Sequence, residues 1–346
     1  MTYVNSLFYV KPFLVSLCIS AILCYCIIII SYKWRFRDVR DEERHIHQRN
    51  ISRFGGIAVI IAFVSTLYFN QYLIFDRLIW AMIIGSMLIL FVGIIDDIKP
   101  LSWKSQLFFQ VMLVLIVFIF GIRIEYITNP LGDVFWLINS DFVMLSFGFM
   151  LVWMIFVMNA INWSDGIDGL SGGVVCVSAF TLFIISLRPE VMQPPIAIIS
   201  VVLAGSVFGF LIFNFPRAKI FVGSSGAFFM GFILALSAIA AGAKIGTTLL
   251  VLAVPLIDAL WVIVRRVREG RSIFHGDREH AHHKLLERGW SVKKILLLYY
   301  GATILSAIAA VTTQSINKLM IFVVLCFVLI TFFIIISYEN KVPANE

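Results

Sequence analysis

The sequence predicts an all-α, polytopic membrane protein with about eleven transmembrane helices, the N-terminus outside, the C-terminus cytoplasmic and a short external β-hairpin. Three observations predict it. The 346 residues are 61% hydrophobic and 14% charged, with a mean hydropathy of +0.98, more apolar surface than a soluble domain of this length can bury. Eleven apolar runs have the length of membrane spans, and Lys and Arg are unevenly shared among the loops that join them.

The runs lie near 12–31, 55–73, 78–95, 106–121, 142–158, 170–187, 195–213, 227–243, 246–264, 295–312 and 318–338. Together they make one integral membrane domain over 1–346, with a His/Arg-rich loop at 265–294. The first run meets a charged loop at once and has no small-residue cleavage site, so it reads as a retained helix. With the N-terminus outside, 21 of the 27 Lys and Arg fall on the inner side. That skew is the positive-inside signal. The net charge of +7 therefore reflects loop placement and attraction to anions, not nucleic-acid binding. Cys18, Cys24, Cys26, Cys176 and Cys326 all lie inside apolar runs, which indicates neither a zinc site nor a disulfide framework. On the outer side, "IRIEYITNPLGDVFWLI" pairs two β-prone stretches around a turn sequence.

The chemistry concentrates on the cytoplasmic side. Loop one, "SYKWRFRDVRDEERHIHQRNISRFGG", is a basic anchor for anionic headgroups, with Arg53 and Gly55-Gly56 placed where backbone can approach a ligand. Loop two opens with Asp96-Asp97 at a helix C-terminus. Adjacent carboxylates repel each other there and the helix dipole opposes them, so the pair suits a divalent cation. In "NAINWSDGIDGLSGG", Asn159, Asn162, Asp165 and Asp168 recur every three residues and share a helical face. No Lys or Arg lies nearby to balance the two aspartates. Loop four, "NFPRAKIFVGSSGAFFMG", begins a helix with glycine-flanked backbone N–H groups that favour anions. Loop five carries His275, His280, His282 and His283 among nine Lys and Arg. Such a crowd of cations suits phosphates better than another metal ion. Carboxylates for Mg2+ on one side and basic groups for a diphosphate on the other suggest phosphoryl-type transfer, with a lipid as one reactant.

"FVGIIDD", "NAINWSDGIDGLSGG", "NFPRAKIFVGSSGAFFMG" and "DREHAHHKLL", in that order over roughly residues 50 to 290, resemble the polyprenyl-phosphate N-acetylhexosamine-1-phosphate transferases. The likeness is to the bacterial undecaprenyl-phosphate GlcNAc-1-phosphate transferase-like branch that starts O-antigen, enterobacterial common antigen or wall teichoic acid. The resemblance implies that a UDP-N-acetylhexosamine and undecaprenyl phosphate give the lipid-diphospho-sugar and UMP. Mg2+ would be the cofactor, with Mn2+ an acceptable substitute, and the site would lie on the cytoplasmic face of the inner membrane. A homodimer is compatible with this reading. Asp96 and Asp97 match the family's aspartate pair, Asp96 being a candidate for deprotonating the acceptor phosphate or fixing the metal. Asn162 and Asp165 match nucleotide- and metal-side residues, with Asn159 beside them, and Asp168 matches the second loop-three aspartate. His280, His282 and His283, with Arg278 and either Arg265 or Arg266, match the diphosphate-binding loop.

One position departs from the pattern. The family writes G-D-x-G-S in loop four, where this chain reads Gly223-Ser224-Ser225-Gly226-Ala227, so Ser224 stands in the metal shell where a carboxylate is expected. A hydroxyl is a poorer Mg2+ ligand. Either Asp96, Asp97, Asp165 and Asp168 hold the ion more weakly, or the chain is a catalytically disabled homologue that still binds its ligands. Two rivals come from other classes. A transporter or scramblase would use Asp258 within span nine, and a CDP-alcohol phosphotransferase would need an Ala-Arg that "DGIDGLSGG" lacks.

Overall fold

The computed structural model describes residues 7–34, 51–128, 134–137, 142–242, 245–272, 279–313 and 315–338. Over these residues the chain is mostly helical: α1 (Leu7–Trp34), α2 (Gly55–Tyr68), α3 (Arg77–Ile98), α4 (Trp103–Ile119), α5 (Val143–Ser164), α6 (Leu170–Ser186), α7 (Pro194–Asn214), α8 (Gly223–Ala240), α9 (Ile245–Val251), α10 (Ala253–Arg268), α11 (Ala281–Glu287), α12 (Val292–Thr312) and α13 (Ser315–Tyr338). Three of the described helices, α3, α4 and α12, start on side-chain caps. Asp76 accepts from Ile79 N–H at 3.0 Å and Ser102 from Ser105 N–H at 3.2 Å, each satisfying an N–H with no partner inside its helix. Two short strands, β1 (Tyr126–Thr128) and β2 (Val134–Trp136), pair antiparallel with Tyr126 opposite Trp136. Their connecting turn lies outside the described residues.

Among the described residues, seven helices are long and apolar enough to cross a membrane, and an eighth span results if α9 and α10 count as one. That pair differs from the single straight run expected over 246–264, because it bends by 82°. Pro255 is the cause. It has no N–H to donate, and its ring would strike the carbonyl four residues back, which belongs to Val251, the last residue of α9. Three further apolar helices, α2, α4 and α6, are shorter, at 14, 17 and 17 residues.

The central pair is α7 and α8, each 83% buried, whereas α1 and α13 are 17% and 11% buried and turn apolar side chains outward, as lipid solvent permits. Small residues bring backbones together. A Cβ built on Gly205 or Gly209 of α7 would lie 2.4 Å from the Phe13 or Leu17 carbonyl of α1, the close crossing that a G-x-x-x-G spacing allows. Gly56 at the start of α2 is tighter still, since its Cβ would meet Gly226 N at 2.3 Å. Backbone cannot yield there as a side chain would. Gly56→Ala is expected to cost about 3 kcal/mol, read as a lowered melting temperature in detergent.

Candidate active site

Five separate connections meet at one end of the bundle. The segment before α2 runs beside the segment before α8. Phe221 N–H donates to Ser52 O at 2.8 Å, Gly55 N–H to Phe221 O at 2.9 Å and Gly56 N–H to Val222 O at 2.8 Å. This pairing lays Arg53 across Gly223, whose Cβ would be 2.4 Å from the Arg53 carbonyl.

Asp97 explains why a carboxylate stands at the wrong end of α3. Its Oδ1 accepts from Ser224 N–H at 2.7 Å, and its Oδ2 from Ser225 N–H at 3.3 Å and Ser225 Oγ–H at 2.8 Å. The dipole at the α3 C-terminus is unfavourable, but the α8 N-terminus supplies free N–H groups and a favourable dipole. The anion expected at the Gly-Ser-Ser-Gly turn is thus the chain's own. Asp96 points another way. It is buried, and its Oδ1 accepts from Leu101 N–H at 2.7 Å and Gln106 Nε2 at 3.1 Å, which folds loop two against α4.

Loop three supplies the second carboxylate. Asp165, just beyond α5 and partly exposed, accepts from Ser171 Oγ–H at 2.6 Å. Loss of hydration is the main force that pushes its carboxyl up to about 7. Ser171 opposes it, Asp97 adds to it, Arg53 opposes and Asp168 adds again. Those charges lie close enough to matter, so Asp97, Asp165, Asp168 and Arg53 form one electrostatic cluster. Asp168 is buried and holds loop four by accepting from Ala218 N–H at 3.0 Å. Beside it, Gly169 N–H donates to Asn214 Oδ1 at 2.9 Å, and Asn214 donates to Ile220 O at 2.8 Å. Tyr300 of α12 bonds Gly169 O. Asn162 lies one turn before Asp165 and is partly buried. Asn159 is turned away, in a reciprocal amide pair with Gln110 at 2.8 and 3.3 Å.

The histidines touch loop three. A Cβ on Gly166 would lie 2.3 Å from His282 Nε2 and 2.7 Å from His283 Nε2. His280 stands over Trp163 at 5.9 Å between ring centroids and stacks on His282 at 5.8 Å and 12°. His282 is fully buried, and neither ring nitrogen has a hydrogen-bond partner among the described residues. Burial, then the neighbouring His283 and His280, holds its pKa well below the ordinary value, so it is a neutral ring. At the end of α10, Arg265 bonds Glu269 at 2.9 Å and lies 3.9 Å from Glu279, which offsets part of its charge. Arg266 is buried and donates to Ser272 O at 3.4 Å. Arg278 and His275 lie outside the described residues.

Several residues of the cluster went unnoticed in the sequence. Ser171, Ser225, Asn214 and Trp163 lie inside the quoted loop segments, but their residue types alone gave them no role. Asp258 did carry a signal, a buried acid within an apolar run. Its Oδ2 lies 3.0 Å from His280 Nδ1 and its Oδ1 accepts from Ala281 N–H at 2.9 Å.

Among the described residues, no three His, Cys, Asp or Glu side chains gather closely enough to hold a metal ion alone. The donor chemistry still fits Mg2+, which is commonly held by one or two carboxylates while water and substrate phosphates complete the shell. Asp97 and Asp165, close enough for the charge of Asp97 to oppose that of Asp165, would be that pair.

The family model described as Glycosyl transferase family 4 matches residues 79–242. A decaprenyl-phosphate N-acetylglucosaminephosphotransferase of Mycobacterium leprae is 33% identical over 307 residues, covering 80% of this chain and 76% of the relative. A probable undecaprenyl-phosphate N-acetylglucosaminyl 1-phosphate transferase of Bacillus subtilis is 28% identical over 95% of this chain and 91% of its own length. The Escherichia coli undecaprenyl-phosphate alpha-N-acetylglucosaminyl 1-phosphate transferase is 29% identical over 84% and 80%. With a relative 33% identical over 80% of its length, the chain belongs to the polyprenyl-phosphate N-acetylhexosamine-1-phosphate transferase family.

Proposed function

We propose that this protein transfers an N-acetylhexosamine 1-phosphate, GlcNAc 1-phosphate by analogy with its relatives, from a UDP-sugar to undecaprenyl phosphate and releases UMP. The observation that carries the reading is the contact between Gly166 and the histidine rings, because it joins the carboxylate loop to the basic loop in one site. An oxygen of the lipid phosphate attacks the β-phosphorus of the donor. A new P–O bond forms, the bond from that phosphorus to the bridging oxygen breaks, and the oxygen leaves on UMP. Asp97 and Asp165 would hold Mg2+, which would supply charge neutralisation at the diphosphate oxygens. Arg53 faces the same cluster, the basic loop meets the diphosphate, and Asp168 keeps loop four closed beneath it.

The seven long helices, the bent pair and the three short apolar helices support eleven spans, with the cluster on the cytoplasmic face of a bacterial inner membrane and the β1–β2 pair outside. This would be the first membrane step of a cell-surface polysaccharide. A homodimer is compatible with the exposed apolar faces of α1 and α13.

A second reading, a catalytically disabled homologue that still binds donor or lipid phosphate, is favoured by one observation. Both oxygens of Asp97 are engaged by α8 and Ser224 adds no carboxylate. The test is transfer of labelled sugar phosphate from UDP-GlcNAc to undecaprenyl phosphate by purified protein, with and without Mg2+. Metal-dependent product supports the transferase, whereas donor binding without product supports the disabled form. Ser224→Asp adds a third carboxylate beside Asp97. It is expected to raise turnover about tenfold at limiting Mg2+ and to lower the melting temperature when metal is absent, through like-charge repulsion.

A further inference from the structure

Asp258 is the one acid inside the α9–α10 pair, and the transfer chemistry just described leaves it without a task. It is 2% exposed, and burying a carboxylate is costly unless donors meet it. Two do. Ala281 N–H is the first of α11, a seven-residue helix too short to hold itself, and the other donor is His280 Nδ1.

We propose that Asp258 is a positioning residue that fixes the tautomer and ring plane of His280, so that the Nε2 lone pair of this ring is preset to accept a hydrogen bond from a hydroxyl or amide N–H of the substrate. An ionised carboxylate only accepts, so the proton of the 3.0 Å contact sits on Nδ1 and Nε2 is the nitrogen left for a ligand. A partner behind the imidazole sets its tautomer and orientation. The ordering then passes along the stack. His280 is held by Asp258 on one edge and by Trp163 and His282 on its faces, and His282 in turn abuts Gly166. The buried acid that a transport reading would place on an ion path is instead fully used within the site. This inference rests on the proposed function only for the identity of the substrate.

The experiment compares wild type with Asp258→Asn, Asp258→Glu and His280→Gln in detergent, reading turnover from UDP-GlcNAc, melting, and nitrogen NMR of 15N-histidine-labelled full-length protein, with His280→Gln assigning the signal. In Asp258→Asn the amide oxygen still accepts from Ala281 N–H, while the NH2 faces Nδ1 and drives the ring proton to Nε2. The expected result is a wild-type proton on Nδ1, a switched tautomer in Asp258→Asn with near-normal melting, and kcat/KM lower on the order of a hundredfold. Asp258→Glu recovers part of that loss, and Asp258→Asn adds nothing to His280→Gln in the double variant. A wild-type proton on Nε2, an unswitched ring, or losses that multiply in the double variant would overturn the inference. The nitrogen spectrum does not depend on turnover. A protein that transfers nothing yet shows the switch defeats the proposed reaction alone, and one that transfers with His280 unswitched defeats this inference alone. Should Asp258→Asn not fold, the wild-type spectrum still decides.

Discussion

Asp165→Asn is expected to reduce transfer about a thousandfold and, in the same protein, to increase stability above neutral pH. The two effects share a cause. Asp165 has lost hydration and stands near Asp97 and Asp168, which together lift its carboxyl from 3.8 to about 7 despite Ser171 and Arg53. The sign follows from proton binding. The folded state holds this proton more tightly than the unfolded state, so the group contributes most below about pH 4. That contribution is lost as pH rises toward 7 and stays lost above it. Asparagine keeps an acceptor for Ser171 and carries no charge, so it removes the penalty. After a discount for partial exposure the gain is about 2 kcal/mol above pH 7, with none near pH 4. Melting curves of metal-free protein at pH 4.5 and 8 check it. On the proposed reading the wild-type carboxyl would have to shed its proton before joining Asp97 around a cation, so turnover is expected to fall as pH drops through 7. An Asp165→Asn protein that transfers normally would remove Asp165 from the mechanism.

How much of this was legible in the sequence depends on how far each partner lies along the chain. Helix existence and the loops that carry chemistry follow from composition and from the placement of Lys and Arg, both local properties. The break at Pro255 was available by rule, but the hydropathy of 246–264 runs unbroken through it, so an average over the run conceals a bend that backbone sterics impose. Asp97 and Asp168 show a different limit. Their residue types pointed to metal or catalysis, whereas their partners, Ser224 and Ala218, lie 127 and 50 residues away. Nothing near Asp97 in the sequence says that a helix N-terminus will arrive to meet it. Asn159 shows the same limit, since its partner Gln110 is 49 residues distant. Periodicity put it on one face with Asn162 and Asp165, and packing against α4 gave it a partner outside the cluster. Asp258 entered the sequence reading only as the residue a rival transporter would use, because its apolar surroundings alone were visible. Its partners needed the return of α11 to α10.

Gly166→Ala is expected to lower kcat/KM about a hundredfold with little loss of stability, and it tests the one contact on which the single-site reading depends. The backbone at Gly166 shows no left-handed conformation, so alanine meets no backbone penalty and the whole effect must come from what its methyl touches. The added carbon would lie 2.3 Å from His282 Nε2 and 2.7 Å from His283 Nε2. His283 is partly exposed and can swing aside. His282 cannot, because it is fully buried and lies between His280 and His283. Loop three must therefore yield, moving Asp165 relative to the rings by an amount comparable to the overlap. Binding of donor and alignment of its phosphorus both rely on that distance, so KM should rise and kcat should fall together. Steady-state kinetics beside a melting curve separates this from simple unfolding. If the alanine variant turns over like wild type, the carboxylate loop and the histidine loop do not work on one substrate.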